Sequence, residues 1–328
     1  MFRTALRESL LKRTMRSILA LTALLVAFSP GASAQGNGRA VLITGASSGI
    51  GLKMTEVLAA NGFYVYAGAR SADALQRLDA MTNVRGVRLD VNAQDEIDAA
   101  VELVAEAGRG LYGLFNNAGV AVVGPLVEME ESDMAFQMNV NLFGPYRVTK
   151  AFTPLLIESR GRVMTTGSIS GILSGPMLGA YRMSKHAVEA FTDALAEKMA
   201  QFGMAVSVVD PGNYRSEISA SASACRDAAG VTDANSLFAE QMDDRLQGPS
   251  DRSEYREPDD VAAAALHFLV SDRPKRRYLV VPNQREAEIT IRKAVEELVQ
   301  LNQDHPFSYD REALIRMLDE AMAATSGR

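Results

Sequence analysis

One cysteine, Cys225, stands among 328 residues, so no disulfide can close within the chain. No histidine adjoins it, and a nucleophilic thiol without a base beside it is a poor catalyst. The three histidines, His186, His267 and His305, fall into no cluster with metal-ligand spacing, so no metal site is expected. Long apolar runs are also missing. The longest candidate, residues 18–28, is well short of the about 20 residues that a membrane-crossing helix needs. Basic charge is in deficit: Lys and Arg number 34 against 40 Asp and Glu, for a net charge of −6. That balance argues against a nucleic-acid partner. The one basic cluster, Lys275-Arg276-Arg277, is short and precedes an apolar run, as a solvated loop before a strand would.

What basic excess exists sits at the start. Arg3, Arg7, Lys12, Arg13 and Arg16 outweigh Glu8, the apolar run follows, and Ala32-Ser33-Ala34 fits a small-residue cleavage site. This is the layout of a Sec-type export signal. The expectation is a leader over 1–34, cleaved after Ala34, and a periplasmic or exported product. The alternatives are an uncleaved segment that makes the only membrane contact, or a cytoplasmic protein. The remaining chain is the more acidic for losing that segment.

Beyond it, short apolar β-branched runs alternate with helical patterns. Ala40–Thr44, Tyr64–Ala67, Gly86–Leu89, Leu114–Asn116, Val163–Thr166, Val206–Val209 and Tyr278–Val281 read as strands, and helical periodicity marks stretches such as 50–60, 97–107 and 187–200. Such alternation predicts an α/β fold, a doubly wound parallel sheet of about seven strands in one Rossmann-like domain over 35–282. Residues 213–257, rich in Ser, Ala, Asp and Gly, break the pattern just after a strand end, where ligands bind in such sheets; they read as a lid or as a surface insertion. Two more helical patterns form a C-terminal extension over 283–328.

The first strand runs directly into Thr44-Gly45-Ala46-Ser47-Ser48-Gly49-Ile50-Gly51 and a helix. Glycines at 45, 49 and 51 permit a tight turn and let backbone N–H groups approach a pyrophosphate at the helix N-terminus. At the end of the second strand no carboxylate lies between Phe63 and Ala72, and Arg70 occupies the place where an acidic residue would hold ribose hydroxyls. Arginine there suits a 2′-phosphate, so NADP(H) is expected, with Ser47 as a second phosphate ligand. Asp90 and Val91 follow the third strand, where Asp90 is placed either to accept from an adenine amino group or to serve as a turn or cap residue. Asn117, Ala118 and Gly119 close the fourth strand with side chains small enough to let a cofactor lie close.

Tyr181 and Lys185 are four residues apart, one helical turn, and Ser168 precedes the tyrosine by thirteen. A tyrosine ordinarily holds its proton to near pH 10, and a neighbouring ammonium on the same helix face favours the phenolate. With a serine hydroxyl on the same oxygen, the three can move a proton to or from an alcohol or carbonyl.

Taken in order, T-G-A-S-S-G-I-G, N-N-A-G, N-V-N-L-F-G (139–144), G-S-I-S-G (167–171), Y-R-M-S-K and P-G (211–212) resemble the short-chain dehydrogenase/reductase family over roughly residues 39–282. Pro-Gly-Asn-Tyr-Arg-Ser and the residues after Lys185 look most like its hydroxysteroid and retinol dehydrogenase group. The resemblance implies a catalytic tetrad of Asn141, Ser168, Tyr181 and Lys185. Tyr181 would be the general acid or base, and Lys185 would lower its pKa and hold the nicotinamide ribose. Ser168 would orient the substrate oxygen, and Asn141 would position a relay water. Pro211, Gly212 and Ser216 would face the nicotinamide end, Ser216 standing where the family usually has threonine. The resemblance also implies a homodimer or homotetramer. Apolar stretches 121–125 and 172–178 point to a small apolar alcohol or carbonyl substrate. The rival from another class is a non-catalytic dinucleotide sensor or scaffold, which would be free to lose the tyrosine or lysine that this chain keeps.

Overall fold

The computed structural model describes residues 35–218, 236–241 and 254–326. The expected leader, Cys225 and most of the expected lid lie outside them. From Gly36 onward the described chain builds seven parallel strands: β1 (Ala40–Ile43), β2 (Tyr64–Ala69), β3 (Val84–Arg88), β4 (Gly113–Asn116), β5 (Arg162–Thr166), β6 (Ala205–Pro211) and β7 (Arg277–Val280). Their spatial order is β3-β2-β1-β4-β5-β6-β7. The expected doubly wound sheet is therefore present, and its order reverses direction between β1 and β4. That switch point opens a crevice at the carboxyl ends of the strands.

Alternation within single strands feeds both faces. Val41 and Ile43 join a core with Met54, Leu58, Leu78, Val261 and Phe268, while Ala40 and Leu42 join a second with Ile97, Val104, Val148, Phe152 and Ala196. The first core is roofed by α1 (Gly49–Ala60), α2 (Ala72–Asp79) and α7 (Asp259–Val270). The second is roofed by α3 (Gln94–Glu106), α5 (Gly144–Glu158) and α6 (Gly179–Met199). A short α4 (Glu131–Met138) leads into α5 through a π-helical turn at Asn139–Phe143. That widened turn has a sequence cause: the α-helical donor to the Asn141 carbonyl would be the N–H of residue 145, which is proline.

Two helices complete the chain, α8 (Gln284–Leu301) and α9 (Arg311–Ser326), giving the expected C-terminal extension. Asn283 caps α8 by accepting from the Glu286 N–H at 3.0 Å, and Glu286 Oε2 accepts from the Asn213 N–H at 2.8 Å. One end of the extension is thus tied to the carboxyl edge of the sheet. Among the described residues no helix is long and apolar enough to cross a membrane.

Candidate active site

The turn after β1 is held by side chains that spend themselves on backbone. Thr44 Oγ1 accepts from the N–H groups of Asn117 (2.9 Å) and Ala118 (3.0 Å). Asn117 Nδ2 donates back to the carbonyls of Thr44 (3.1 Å) and Gly45 (3.2 Å). These bonds join the ends of β1 and β4 across the switch point. Gly45 sits at φ +66°, and a Cβ there would lie 2.8 Å from Ala118 Cα, so the turn has no room for a side chain. Ser48 flanks α1 in extended conformation without using its hydroxyl as a cap, and no acidic residue occupies the first turn. The positive end of the helix dipole and its free N–H groups therefore face the crevice, a cradle that fits a pyrophosphate.

One continuous cleft collects the expected residues. It is lined by Gly45, Ser47, Ser48, Gly49, Ile50, Arg70, Asp90, Val91, Asn117, Ala118, Gly119, Ser168, Tyr181, Lys185, Pro211, Gly212 and Ser216. Gly51 and Asn141 are the two expected residues that do not line it. A Cβ on Gly51 would collide with the Gly45 carbonyl and stand 2.5 Å from Asn117 Nδ2, so its task is close packing of α1 under the turn.

At the ribose-phosphate end, Arg70 is two-thirds exposed, and its Nη1 lies 3.9 Å from Asp90 Oδ2. Asp90 is also a turn residue: Oδ1 accepts from the Asn92 N–H at 2.9 Å, while its own N–H donates to Glu96 Oε2 at 2.6 Å. The turn reading of Asp90 is thus observed, and the residue also lines the cleft.

At the other end, Ser168 Oγ accepts from the Ser170 N–H at 3.1 Å, and the Ser168 N–H donates to Asp210 Oδ1 at 3.1 Å. Lys185 is only 5% exposed, donates to the Thr166 carbonyl at 2.7 Å and stands 5.7 Å from the Tyr181 ring centroid. Burial pulls the lysine down to about 8, opposed by the negative charge of Asp210 and Glu189. Burial, then the proximity of Glu189, raises the Asp210 carboxyl well above the usual carboxylate range, against the Ser168 N–H and Arg277.

Asn141 is wholly engaged. Its Oδ1 accepts from the Val120 N–H at 2.9 Å, and its Nδ2 donates to the Val120 carbonyl at 2.9 Å and to Ser184 Oγ at 3.1 Å. The side chain is a tie between the β4 loop and α6. The relay-water role expected of Asn141 is therefore not one its side chain has a spare hydrogen-bonding atom for.

The sequence assigns no site role to several lining residues: Gly68, Ala69, Leu89, Asn92, Val120, Val140, Thr166, Tyr214, Glu217 and Ile218. Gly68, Ala69, Leu89 and Thr166 lie at or just past strand ends, and only the sheet reveals their exposure. The two apolar stretches expected to wall the substrate lie against each other, with the Gly124 N–H donating to the Met177 carbonyl at 2.8 Å. Ala121, Val122 and Met177 are buried, and neither stretch lines the cleft described above.

The short chain dehydrogenase family model matches residues 39–227, more than half of the chain. The chain belongs to the short-chain dehydrogenase/reductase family and is an oxidoreductase of that family. It is 34% identical over 245 residues to the uncharacterized oxidoreductase YbbO of Escherichia coli K12, covering 74% of this chain and 85% of that one. It is 32% identical over 255 residues to the NADPH-dependent 3-dehydrocapnine reductase of Ornithobacterium rhinotracheale, covering 75% and 89%. A crystal structure of a family member from Burkholderia phymatum in complex with NAD superposes with a TM-score of 0.70 at 27% identity, covering 84% of this chain and 99% of that one.

Proposed function

We propose that this protein is an NADP(H)-dependent oxidoreductase that interconverts an apolar alcohol and its carbonyl, with Tyr181 as the general acid or base. The observation that carries this reading is the meeting of Ser168, Tyr181 and Lys185 in the same cleft as the uncapped N-terminus of α1. When bound, the nicotinamide supplies or removes the hydride. The chain's own residues handle the proton and the geometry. In reduction Tyr181 donates a proton to the oxygen that becomes the alcohol; in oxidation it withdraws one. Lys185, poised near 8, is mostly an ammonium at neutral pH, and that charge favours the phenolate. Ser168, fixed at its N–H by Asp210, presents a hydroxyl toward the same oxygen.

NADP(H) is favoured over NAD(H) by Arg70, which flanks the cleft at the end of β2 with Ser47 nearby and no carboxylate on the strand. The relatives divide, one described as NADPH-dependent and another holding NAD, so the choice rests on Arg70. An apolar substrate is favoured by Val120, Val140, Tyr214 and Ile218 on the lining. The half-exposed Phe143 of the π-helical turn, Tyr146 of α5 and Met183 of α6 support self-association through those helices.

Tyr181→Phe should lower kcat by about 10²–10⁴-fold, read as NADPH absorbance against a panel of steroids, retinoids and simple ketones. Equal activity of variant and wild type, or a wild type that turns over no panel member, would refute the assignment. Arg70→Asp should raise KM for NADPH and lower it for NADH; unchanged values for both would remove Arg70 from cofactor choice.

A further inference from the structure

Behind Ser168 and Lys185, away from the cleft, a buried carboxyl group lies beside a largely buried one. Asp210 ends β6 and is 2% exposed; Glu189 projects from α6, one turn beyond Lys185. They converge on Gly167, where a Cβ would overlap Asp210 Oδ1 and stand 3.1 Å from Glu189 Oε1. The glycines of G-S-I-S-G acquire a reason: a Cβ on Gly171 would likewise lie 3.1 Å from Glu189 Oε1. The carboxyl oxygens are not equally served. Asp210 Oδ1 accepts from the Ser168 N–H, and Glu189 Oε2 receives Arg277 Nε at 3.0 Å. Glu189 Oε1 is buried with no hydrogen-bond donor among the described residues. The nearest group that geometry offers it is the Asp210 carboxyl, since Asp210 Oδ1 and Glu189 Oε1 border the same Cβ position at Gly167, and a carboxyl can donate only as an acid.

We infer that Asp210 and Glu189 share one proton, and that this carboxylic acid–carboxylate pair is a positioning device that fixes the Ser168 backbone and presents a single negative charge to the Lys185 ammonium. Two ionised carboxylates buried side by side would repel, whereas one shared proton satisfies the stranded oxygen and halves the charge. The charged groups around the pair are few. Lys185 and Asp193 face it from α6 and Arg277 from β7, where Arg277 Nη2 also holds Asp193 Oδ2 at 2.5 Å. The loop after β5 contributes only the uncharged Gly167 and Ser168, and Glu286 of α8 stands at Gly212, two residues past Asp210. Arg277 is thus divided between Glu189 and Asp193, while Lys185 faces the pair with no other carboxylate of its own.

The effect on turnover rests on the oxidoreductase reading above; the shared proton does not. Asp210→Asn imitates the protonated acid, since its amide can donate to Glu189 Oε1 and still accept from Ser168. It should rescue what Asp210→Ala loses: Asp210→Ala is expected to cut kcat by about 10²-fold through displacement of Ser168, with the KM for NADPH little changed. The alkaline limb of the pH–rate profile should coincide in wild type and Asp210→Asn. In the Asp210→Asn/Glu189→Gln double variant it should move down by about one pH unit or more, because Lys185 then loses its counter-charge. Infrared spectra at pH 7 supply a measurement independent of activity. The wild type should show a protonated-carboxyl C=O stretch that the double variant lacks, with circular dichroism establishing that both are folded. Absence of that band in the wild type, or a limb already displaced in Asp210→Asn, overturns the inference by indicating two ionised carboxylates. A wild type that shows the band but turns over nothing leaves the pair standing and removes the proposed reaction instead.

Discussion

Replacing Lys185 by methionine should produce a protein that is inactive and more stable. The lysine is held at about 8 against an ordinary 10.5 because burial disfavours its charge more than its neighbours restore it. At about 1.4 kcal/mol for each factor of ten, the charged form costs about 3 kcal/mol of folding stability at neutral pH. Methionine has a similar length and no charge to desolvate. It forfeits the hydrogen bond to the Thr166 carbonyl, worth about 1 kcal/mol, which leaves a net gain of about 2 kcal/mol. For a domain of this size that is a rise of about 4–8 °C in Tm at pH 7. The sign of the pH dependence follows from proton counting. Below about 8 both folded and unfolded lysine are charged, so the penalty is fully present. Between about 8 and 10.5 the unfolded chain binds the extra proton, so wild-type stability rises with pH relative to the variant. Above 10.5 the penalty is gone. Paired thermal melts from pH 7 to 10.5 cancel the contributions of tyrosines remote from Lys185, and running the pair in a Tyr181→Phe background removes that of Tyr181. A Tm difference that stays flat across that window, or a variant less stable than wild type at pH 7, would refute the reasoning.

Two other substitutions separate support from chemistry. Asn141→Ala strips the buried Val120 N–H and carbonyl and Ser184 Oγ of a partner and should cost about 4 kcal/mol, visible as a large fall in Tm even without cofactor. Gly51→Ala should push α1 away from the Gly45 carbonyl, destabilising by about 1–3 kcal/mol and weakening NADPH binding in a fluorescence titration.

The strands were legible because a parallel sheet buried on both sides needs continuous apolar runs, and each of the seven appears within one to two residues of its expected place. Helix starts were less so. The periodic pattern begins at 187, yet α6 begins at Gly179, because its first turns bury the polar Ser184 and Lys185 rather than an apolar stripe. Cofactor-side residues were legible where motif and site are local in the chain, as in the turn from Gly45 to Gly51. The tie made by Asn141 was not, since Val120 and Ser184 lie 21 and 43 residues away from it. The same holds for Asp210 and Glu189, which no motif joins and which only the packing of β6 under α6 brings together.

The widened turn at Asn139–Phe143 also constrains how this chain can be altered. It amounts to one residue more than an α-helix would use, so returning to α-helical pitch there would take the deletion of a residue and the replacement of Pro145. That repair would rotate everything downstream by about 100° about the helix axis. Val148, Phe152 and Leu156, all fully buried, would swing out of the core while half-exposed neighbours such as Tyr146 turned in. The irregularity is therefore locked in place by the apolar face of α5. Changes in the length of this segment cannot be accommodated.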